Sequence, residues 1–179
     1  MSEKNIVGKN NKSEFQSSPK ARESCNLQKM KIVWKIKTFE ELTNVELYAI
    51  VQLRLAVFSV EQNCPYQDAD GKDLKSFHLM GMDESAELVA YSRIVPAGIS
   101  FNEVSIGRVV TSQKVRGTGT GKELMKNSIQ FIKKQFGKTP IRIGAQCYLI
   151  KFYSEFGFEI ASEKYLEDNI PHIEMVFNT

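Results

Sequence analysis

Polar and apolar positions change period several times along the chain, and each change marks an element. Residues 31–37 (Lys-Ile-Val-Trp-Lys-Ile-Lys) read as a first strand. Over residues 39–60 the period becomes helical. Leu47, Ile50, Val51, Leu55 and Phe58 fall on one stripe, and Leu53, Ala56 and Val57 widen it. Such breadth predicts a helix buried on most sides. Arg54 sits inside that run, and either snorkels its head to water or points it into a cleft. Residues 61–75 lose the period altogether. Phe77–Met82 and Leu88–Val95 are strand-like runs separated by the turn-prone Asp83-Glu84-Ser85, which predicts a hairpin. Val104–Thr111 is a third β-rich run, after the Pro96-Ala97-Gly98 break. Thr120–Phe136 is the cleanest helix: Leu124, Met125, Ile129, Ile132 and Phe136 line one face, Lys122, Lys126, Lys133 and Lys134 the other, and Gly137 suits the stop. Residues 140–146 read as strand, 149–156 as a short helix ending at Gly157, and 158–162 and 172–177 as two closing strands.

The order is therefore β-α, three strands, then α-β-α-β-β. The strand–helix–strand from 104 to 146 is a crossover that joins parallel strands with right-handed sense, and the rest is meander. A mixed sheet with helices on its faces follows, α/β or α+β by label. Residues 1–30 are Asn-, Lys- and Ser-rich with few large apolar groups, too few to offset the entropy of ordering. They are expected to be a disordered leader to a single domain over 31–179.

Charge sharpens this division. Of 24 basic and 21 acidic side chains, six and three fall within the first 30 residues, which leaves 18 of each sign in the remainder. The basic excess belongs to the leader, and a nucleic-acid partner would need it on the folded domain. No stretch nears the ~20 apolar residues of a membrane span. The three cysteines, Cys25, Cys64 and Cys147, have no metal-like spacing, and an odd count with no secretory signal points to a reducing compartment, the cytoplasm. Acidic Glu3, Glu14 and Glu23 argue against a transit peptide. The aspartates Asp68, Asp70 and Asp73 invite a calcium-loop reading, which fails. With Gly71 at the sixth loop position, Tyr66 and Phe77 would stand where carboxylates are required. No metal is expected. The aspartates are either a solvated turn or a carboxylate-lined lip facing a cationic substrate.

Between the third β-run and the long helix lies Arg116-Gly117-Thr118-Gly119-Thr120-Gly121-Lys122. It is not a P-loop, because Arg116 and Glu123 stand where glycine and a hydroxyl residue are needed. It is not the dinucleotide fingerprint either, because Lys122 stands where the last glycine belongs. The physics still favours an anion. The first amides of a helix have no intrahelical partner, the dipole adds positive potential, and glycines let a phosphate approach the main chain.

Arg116-x-x-Gly119-x-Gly121 resembles the acyl-CoA pyrophosphate loop of the GNAT N-acetyltransferase superfamily, whose pattern is Arg/Gln-x-x-Gly-x-Gly/Ala. The short helix bearing Phe152-Tyr153, followed by Gly157-Phe158, resembles that family's tyrosine-bearing helix. Further segments resemble its ElaA-type branch: 53–58 (Leu-Arg-Leu-Ala-Val-Phe), 60–68, Ile106-Gly107-Arg108-Val109, Gly144-Ala145-Gln146 and Ile170-Pro171-His172-Ile173. The resemblance covers about residues 31–179. It implies the acyl-CoA N-acyltransferase fold: a mixed, mostly antiparallel sheet with a central parallel β-α-β crossover and helices on both faces. It implies acetyl-CoA as co-substrate and direct transfer to the amine of a small molecule or peptide, with a homodimer admitted. A regulatory module that binds acyl-CoA without turnover is the alternative, and Tyr153 speaks for the enzyme.

The resemblance also assigns roles. The strand 104–111 would splay from its parallel neighbour, and its main chain around Val109, Val110 and Thr111 would meet pantetheine and thioester. The amides of Gly117, Thr118, Gly119, Thr120 and Gly121 would take the pyrophosphate, with Arg116 and Lys122 at the rim. Tyr153 matches the tyrosine near the CoA sulfur. A tyrosine of pKa ~10 hands its proton to a thiolate of pKa ~8.5 only uphill by roughly 2 kcal/mol, so a hydrogen bond to the departing sulfur is its more natural role. Freeing the lone pair of an amine of pKa ~10.4 at pH 7 costs about 4.6 kcal/mol and is the harder problem. His78, His172, Glu61 and Asp68 are the candidate bases, and Arg54, Glu61, Tyr66 and Asp68 the candidate acceptor lining. Cys64 and Cys147 read as small buried hydrophobes rather than nucleophiles. Whether the acceptor is a small amine, an amino sugar, a peptide N-terminus or a lysine stays open.

Overall fold

The computed structural model describes residues 31–178; the expected leader, 1–30, and Cys25 lie outside them. One eight-stranded sheet runs in the order β1-β2-β3-β4-β5-β8-β6, with β7 pairing β8 off that path. The strands are β1 (Val33–Thr38), β2 (Phe77–Met82), β3 (Leu88–Val95), β4 (Val104–Thr111), β5 (Ile141–Gln146), β6 (Glu159–Ile160), β7 (Tyr165–Glu167) and β8 (Ile170–Phe177). Every pairing is antiparallel except β4 with β5. That pair is the parallel crossover, and α2 (Thr120–Phe136) connects it. No helix among the described residues is long and apolar enough to cross a membrane.

Both faces of the sheet are covered. On one face Leu124, Met125 and Ile132 of α2 and Tyr153 of α3 (Ile150–Ser154) pack on Leu79, Ala90, Ile94, Ile106, Ile143 and Met175. On the other face Ile50 and Leu53 of α1 (Asn44–Arg54), with Val57 beyond it, pack on Met80, Tyr91 and Val110. β3, in the middle of this double cover, is buried at all eight positions, which explains why it is apolar on both faces except at Ser92 and Arg93.

Three elements depart from the sequence reading. The long helix expected over 39–60 begins only at Asn44, because Thr43 and Glu46 form a reciprocal capping box there. From Leu55 to Glu61 it widens into π-type turns, with Gln62 N–H bonded to Val57 O at 3.2 Å and Cys64 N–H to Ser59 O at 3.1 Å. The widening turns Leu55 and Val60 outward, 40% and 77% exposed. Last, β7 was not foreseen. It joins β8 through Asp168-Asn169, both at positive φ (49° and 63°), a two-residue hairpin turn whose Asp-Asn sequence was its only signal.

β1 lies at one edge and holds on through its tryptophan. The Trp34 indole lies across Gly81 on β2 and donates to Glu123 Oε1 of α2 at 2.8 Å. A Cβ at Gly81 would lie 2.7 Å from Trp34 Cζ3. Gly81→Ala is therefore expected to lower stability by about 1–3 kcal/mol, read as an earlier urea midpoint with unchanged slope.

Candidate active site

The parallel pair that closes the crossover is barely a pair. β4 and β5 share two register positions, Val104 with Ile141 and Ser105 with Arg142. Beyond these the strands diverge. β5 stays paired to β8 along its whole length and β4 to β3, so a gap opens between β4 and β5.

Register decides which main-chain groups face that gap. Ser112 N–H donates to Val89 O at 2.8 Å. Two residues back on the same register Val110 opposes Tyr91 as the hydrogen-bonded pair, which turns the peptide groups of Val109 and Thr111 away from β3 and toward β5. The expectation that Val110 would meet the substrate with its main chain is corrected here, since its peptide groups are taken by β3. Below Val110 the register shifts. Tyr91 opposes Val110 and Arg93 opposes Gly107, so Ser92 alone faces both Arg108 and Val109. That is a β-bulge, and Arg108 sits in it at φ +51°. The bulge resets the alternation: Val104 and Ile106 point to the α2 side, and after it Val109 does so while Val110 joins the α1 side.

At the open end of the gap the chain enters the glycine loop. Gly117 and Gly119 have φ of +78° and +90°, and a Cβ on either would meet no atom within 4 Å. Gly119 caps α2 with no side-chain bond. The N–H groups of Gly117, Gly119, Thr120 and Gly121 find no acceptor among the described residues, whereas Thr118 N–H turns to Val115 O at 3.4 Å. Four of the five expected amides are thus free, beside an uncrowded surface. Arg116 forks onto Glu61 (2.6 and 2.9 Å) and also reaches Thr111 O at 3.3 Å. Lys122 Nζ lies 2.5 Å from Glu155. Both rim cations start out paired with carboxylates. The hydrogen bonds from Arg116 hold the Glu61 carboxyl below the usual carboxylate range, which weakens it as a base.

α3 closes this side. Phe152 comes within 3.9 Å of a Cβ placed at Gly121. Next to it the Tyr153 ring is 6% exposed, packed edge-on against Phe152 and Phe158. Its hydroxyl has no hydrogen-bond partner among the described residues, and burial pushes its pKa up. Proton donation to a thiolate is harder still, and a hydrogen bond remains available.

On the α1 face the irregular segment 61–73 crosses the mouth of the gap as a strap. Glu61 ties it to Arg116, Gln62 accepts from Gln146 Nε2 at the tip of β5 (3.1 Å), and Cys64 Sγ lies 3.7 Å from Asp168 O in the β7–β8 turn. The aspartates do not form a lip for a cationic substrate, because they face three arginines of the protein itself. Arg54 is 1% exposed and lies 2.8 Å from Asp68 and 2.9 Å from Asp73. Arg93 binds Asp70 at 2.7 Å and Asp73 at 2.9 Å. Arg108 binds Asp68 at 2.9 Å. Arg54 neither snorkels nor points into a cleft, and Asp68, 5% exposed, has no room to act as a base or acceptor contact. Tyr66 is half-buried, donates to Asp68 Oδ1 at 2.7 Å and lies under the Arg108 guanidinium, so of the expected acceptor lining it keeps an open side.

The two histidines separate cleanly. His78 is fully buried. Its Nε2 faces Asp73 O at 3.0 Å and must carry the proton, so Nδ1 accepts from Tyr91 Oη at 2.8 Å. With both nitrogens used, it is removed from the candidate bases. His172 opposes Gln146 across β5–β8 and stacks on Tyr165. Ala145 and Ile173 point into the α2-side core, so Gln146 and His172 lie on the strap side. Its Nδ1 donates to Ile170 O at 2.8 Å, which leaves the Nε2 lone pair free. The sequence reading missed the bulge, Gln62, Gln146 and the stacking Tyr165. Among the described residues no group of His, Cys, Asp and Glu is placed to hold a metal.

Residues 50–179 match the family model described as an acetyltransferase (GNAT) domain. Protein ElaA of Escherichia coli K12 is 44% identical over 146 residues, 80% of this chain and 95% of ElaA. The crystal structure of Escherichia coli ElaA is similar with a TM-score of 0.78 at 43% identity, covering 83% of this chain and 100% of that one. An acyl-CoA N-acyltransferase from Pseudomonas aeruginosa gives 0.78 at 42%, covering 82% and 99%.

The buried cluster makes stability depend on acid. Burial lowers the His78 pKa from 6.5, and it also works to raise Asp70 and Asp73, but the hydrogen bonds of Arg93, with Arg54 on Asp73, hold both below 3.8. In all three the unfolded chain binds the proton more tightly. The contribution of these three groups to stability is therefore complete above pH 6.5, shrinks as pH falls below it, and shrinks again below 3.8. Denaturant melts from pH 8 to 4 should show the first decline in the parent and a flatter profile in His78→Gln.

Proposed function

The chain belongs to the GNAT acetyltransferase superfamily as a relative of ElaA, and from that membership we propose that it moves the acetyl group of acetyl-CoA directly to an amine within a ternary complex. The observation that carries this reading is the row of free amides at Gly117, Gly119, Thr120 and Gly121, set at the N-terminus of α2 beside an unpaired strand edge. A diphosphate needs several donors converging on one small volume, and a helix N-terminus preceded by open glycines provides them with favourable potential. Arg116 and Lys122 add charge if phosphate outcompetes Glu61 and Glu155 for them.

From that anchor an extended arm would run into the gap and bond the peptide groups of Val109 and Thr111, as an added strand bonds a sheet edge. The thioester then lies near the bulge, and Tyr153 lies on the α3 side to hydrogen-bond the departing sulfur. The acceptor would enter from the opposite face, under the strap, past Tyr66, Gln62 and Gln146. His172 Nε2 is the base this geometry favours, since its tautomer is fixed and its lone pair unspent. Direct attack needs no covalent enzyme intermediate, so Cys64 and Cys147 have no step to perform. A small amine or a peptide amine in the cytoplasm is the acceptor class proposed.

Two variants test this. At Gly121 a side chain meets its neighbours only at 3.9 Å, so it fits. Gly121→Asp should weaken acetyl-CoA binding at least tenfold by calorimetry, about 1.4 kcal/mol, while Gly121→Ala binds nearly as the parent does. Equal affinity for the aspartate variant rejects the loop assignment. Tyr153→Phe should keep acetyl-CoA affinity and slow free-thiol release about 10- to 100-fold, with hydroxylamine as the nucleophile.

A further inference from the structure

Three arginines and three aspartates pack together between α1, β3, the bulge of β4 and the strap. Stability alone does not call for this arrangement. Withdrawing Arg54, Arg93 and Asp68 almost wholly from water, and Asp73 and Arg108 in part, is expensive, and apolar residues of similar volume would usually hold the segment as well or better. What paired charges add is a fixed geometry, because each fork fits its carboxylate in few ways.

The geometry being fixed is that of the bulge. Arg108 is an L-residue at φ +51° inside a strand, a conformation that only glycine adopts freely. Something must hold it there. Its Nε donates to Asp68 Oδ1 at 2.9 Å, its Nη2 to Asp68 O at 3.3 Å, and the Tyr66 ring lies 5.3 Å beneath its guanidinium. Asp68 cannot drift, because Arg54 grips it from the far side through Nε and, at the carbonyl, through Nη2 at 2.9 Å. Arg54 is in turn held by Asp73 and packed over Tyr91, the residue whose main chain pairs with Val110 just past the bulge. The chain of contacts thus leaves β4 at Arg108 and returns to it at Val110.

We propose that Arg108 is a positioning residue for acyl transfer: its ion pair with the Arg54-clamped Asp68 holds β4 in the bulged form that aims the Val109 peptide group at the thioester carbonyl. This rests on the acetyl-transfer reading above. Arg108 touches no substrate. It acts through the main chain next to it, where a small displacement is enough to lose a hydrogen bond to a reacting carbonyl.

Glycine at this position separates the tether from the backbone conformation. Arg108→Gly removes the side chain and at the same time makes the positive φ easier, so a loss of function cannot be laid to backbone strain. Three measurements are made on the full chain: acetyl-CoA affinity by calorimetry, thiol release with hydroxylamine as the nucleophile, and the infrared carbonyl band of bound acetyl-CoA labelled with carbon-13 at the acetyl carbonyl. In the parent the band should lie below its position in solution. Arg108→Gly should bind acetyl-CoA within threefold of the parent, release thiol about 10- to 100-fold more slowly, and return the band toward its solution position. Arg108→Lys, which keeps the charge without the fork, should fall between. An Arg108→Gly protein with the parent's rate and band overturns the proposal. If the glycine variant fails to fold, Arg108→Lys decides, and parent values in both rate and band overturn it. A parent protein that binds no acetyl-CoA overturns this proposal together with the reading beneath it, whereas normal binding with an indifferent Arg108→Gly overturns this one alone.

Discussion

Two neighbouring strands that stop pairing after two residues leave main-chain donors and acceptors exposed along both inner edges, and most of the site follows from how the protein handles them. A buried peptide group without a partner is costly, so a sheet normally closes such a gap. Here β8 stays bonded to β5 as far as Gln146, and β3 stays bonded to β4 through the bulge, so the two halves of the sheet hold their shapes independently. Closing the gap would break one of those ladders. The opening is therefore built into the connectivity and does not depend on a ligand to pry it apart. The same divergence places the N-terminus of α2 at its mouth, because α2 must start where β4 ends and return to the start of β5.

The strap solves a second problem. A gap open on both faces would admit water to any reacting centre inside it. The strap covers the α1 side while gripping both arms, at Arg116 and Arg108 on one and Gln146 on the other. Its grip is graded. The Arg116–Glu61 fork is partly exposed, 39% and 34% at the side chains, and is open to competition by phosphate. The Arg54–Asp68 pair is sealed, 1% and 5%, and stays. One end of the strap can exchange partners while the other keeps its register. The π-type turns at 55–61 join the two regimes, delivering Glu61 to the loop from a helix anchored deep in the core by Ile50 and Leu53.

Periodic and local features were legible in the sequence. The amphipathic stripe of α2, its start at Thr120 and the flanking glycines gave the crossover and the open glycine loop at the helix start, because caps and helix faces are set by residues close in sequence. The fold class followed from element order. What could not be read were features created by register between distant segments. The bulge exists because Ser92 meets two residues of β4, and nothing in Ile106-Gly107-Arg108-Val109 announces it. Arg54 looked like a solvent-seeking or cleft-lining cation because its aspartate partners lie 14 and 19 residues away across an aperiodic stretch. The same blindness made Asp68 resemble a free carboxylate.

The histidines carry the point to the level of single atoms. Both lie in strands next to apolar residues, and composition cannot rank them. Each gives one ring proton to a main-chain carbonyl, His78 through Nε2 to Asp73 and His172 through Nδ1 to Ile170. That shared bond fixes which nitrogen of each neutral ring carries the proton, and the other nitrogen then has the lone pair. For His78 the lone pair points back into the core and is met by the Tyr91 hydroxyl, so the ring is a structural link in the arginine–aspartate cluster. For His172 the lone pair lies on the nitrogen away from the carbonyl, on the strap side of the sheet, with Tyr165 stacked against the ring. The difference between the two histidines thus reduces to which half of the divided sheet each stands on. On the half that includes β2 and β3, under α1, the Tyr91 hydroxyl fills the second valence of His78. On the other half the second valence of His172 has no partner among the described residues.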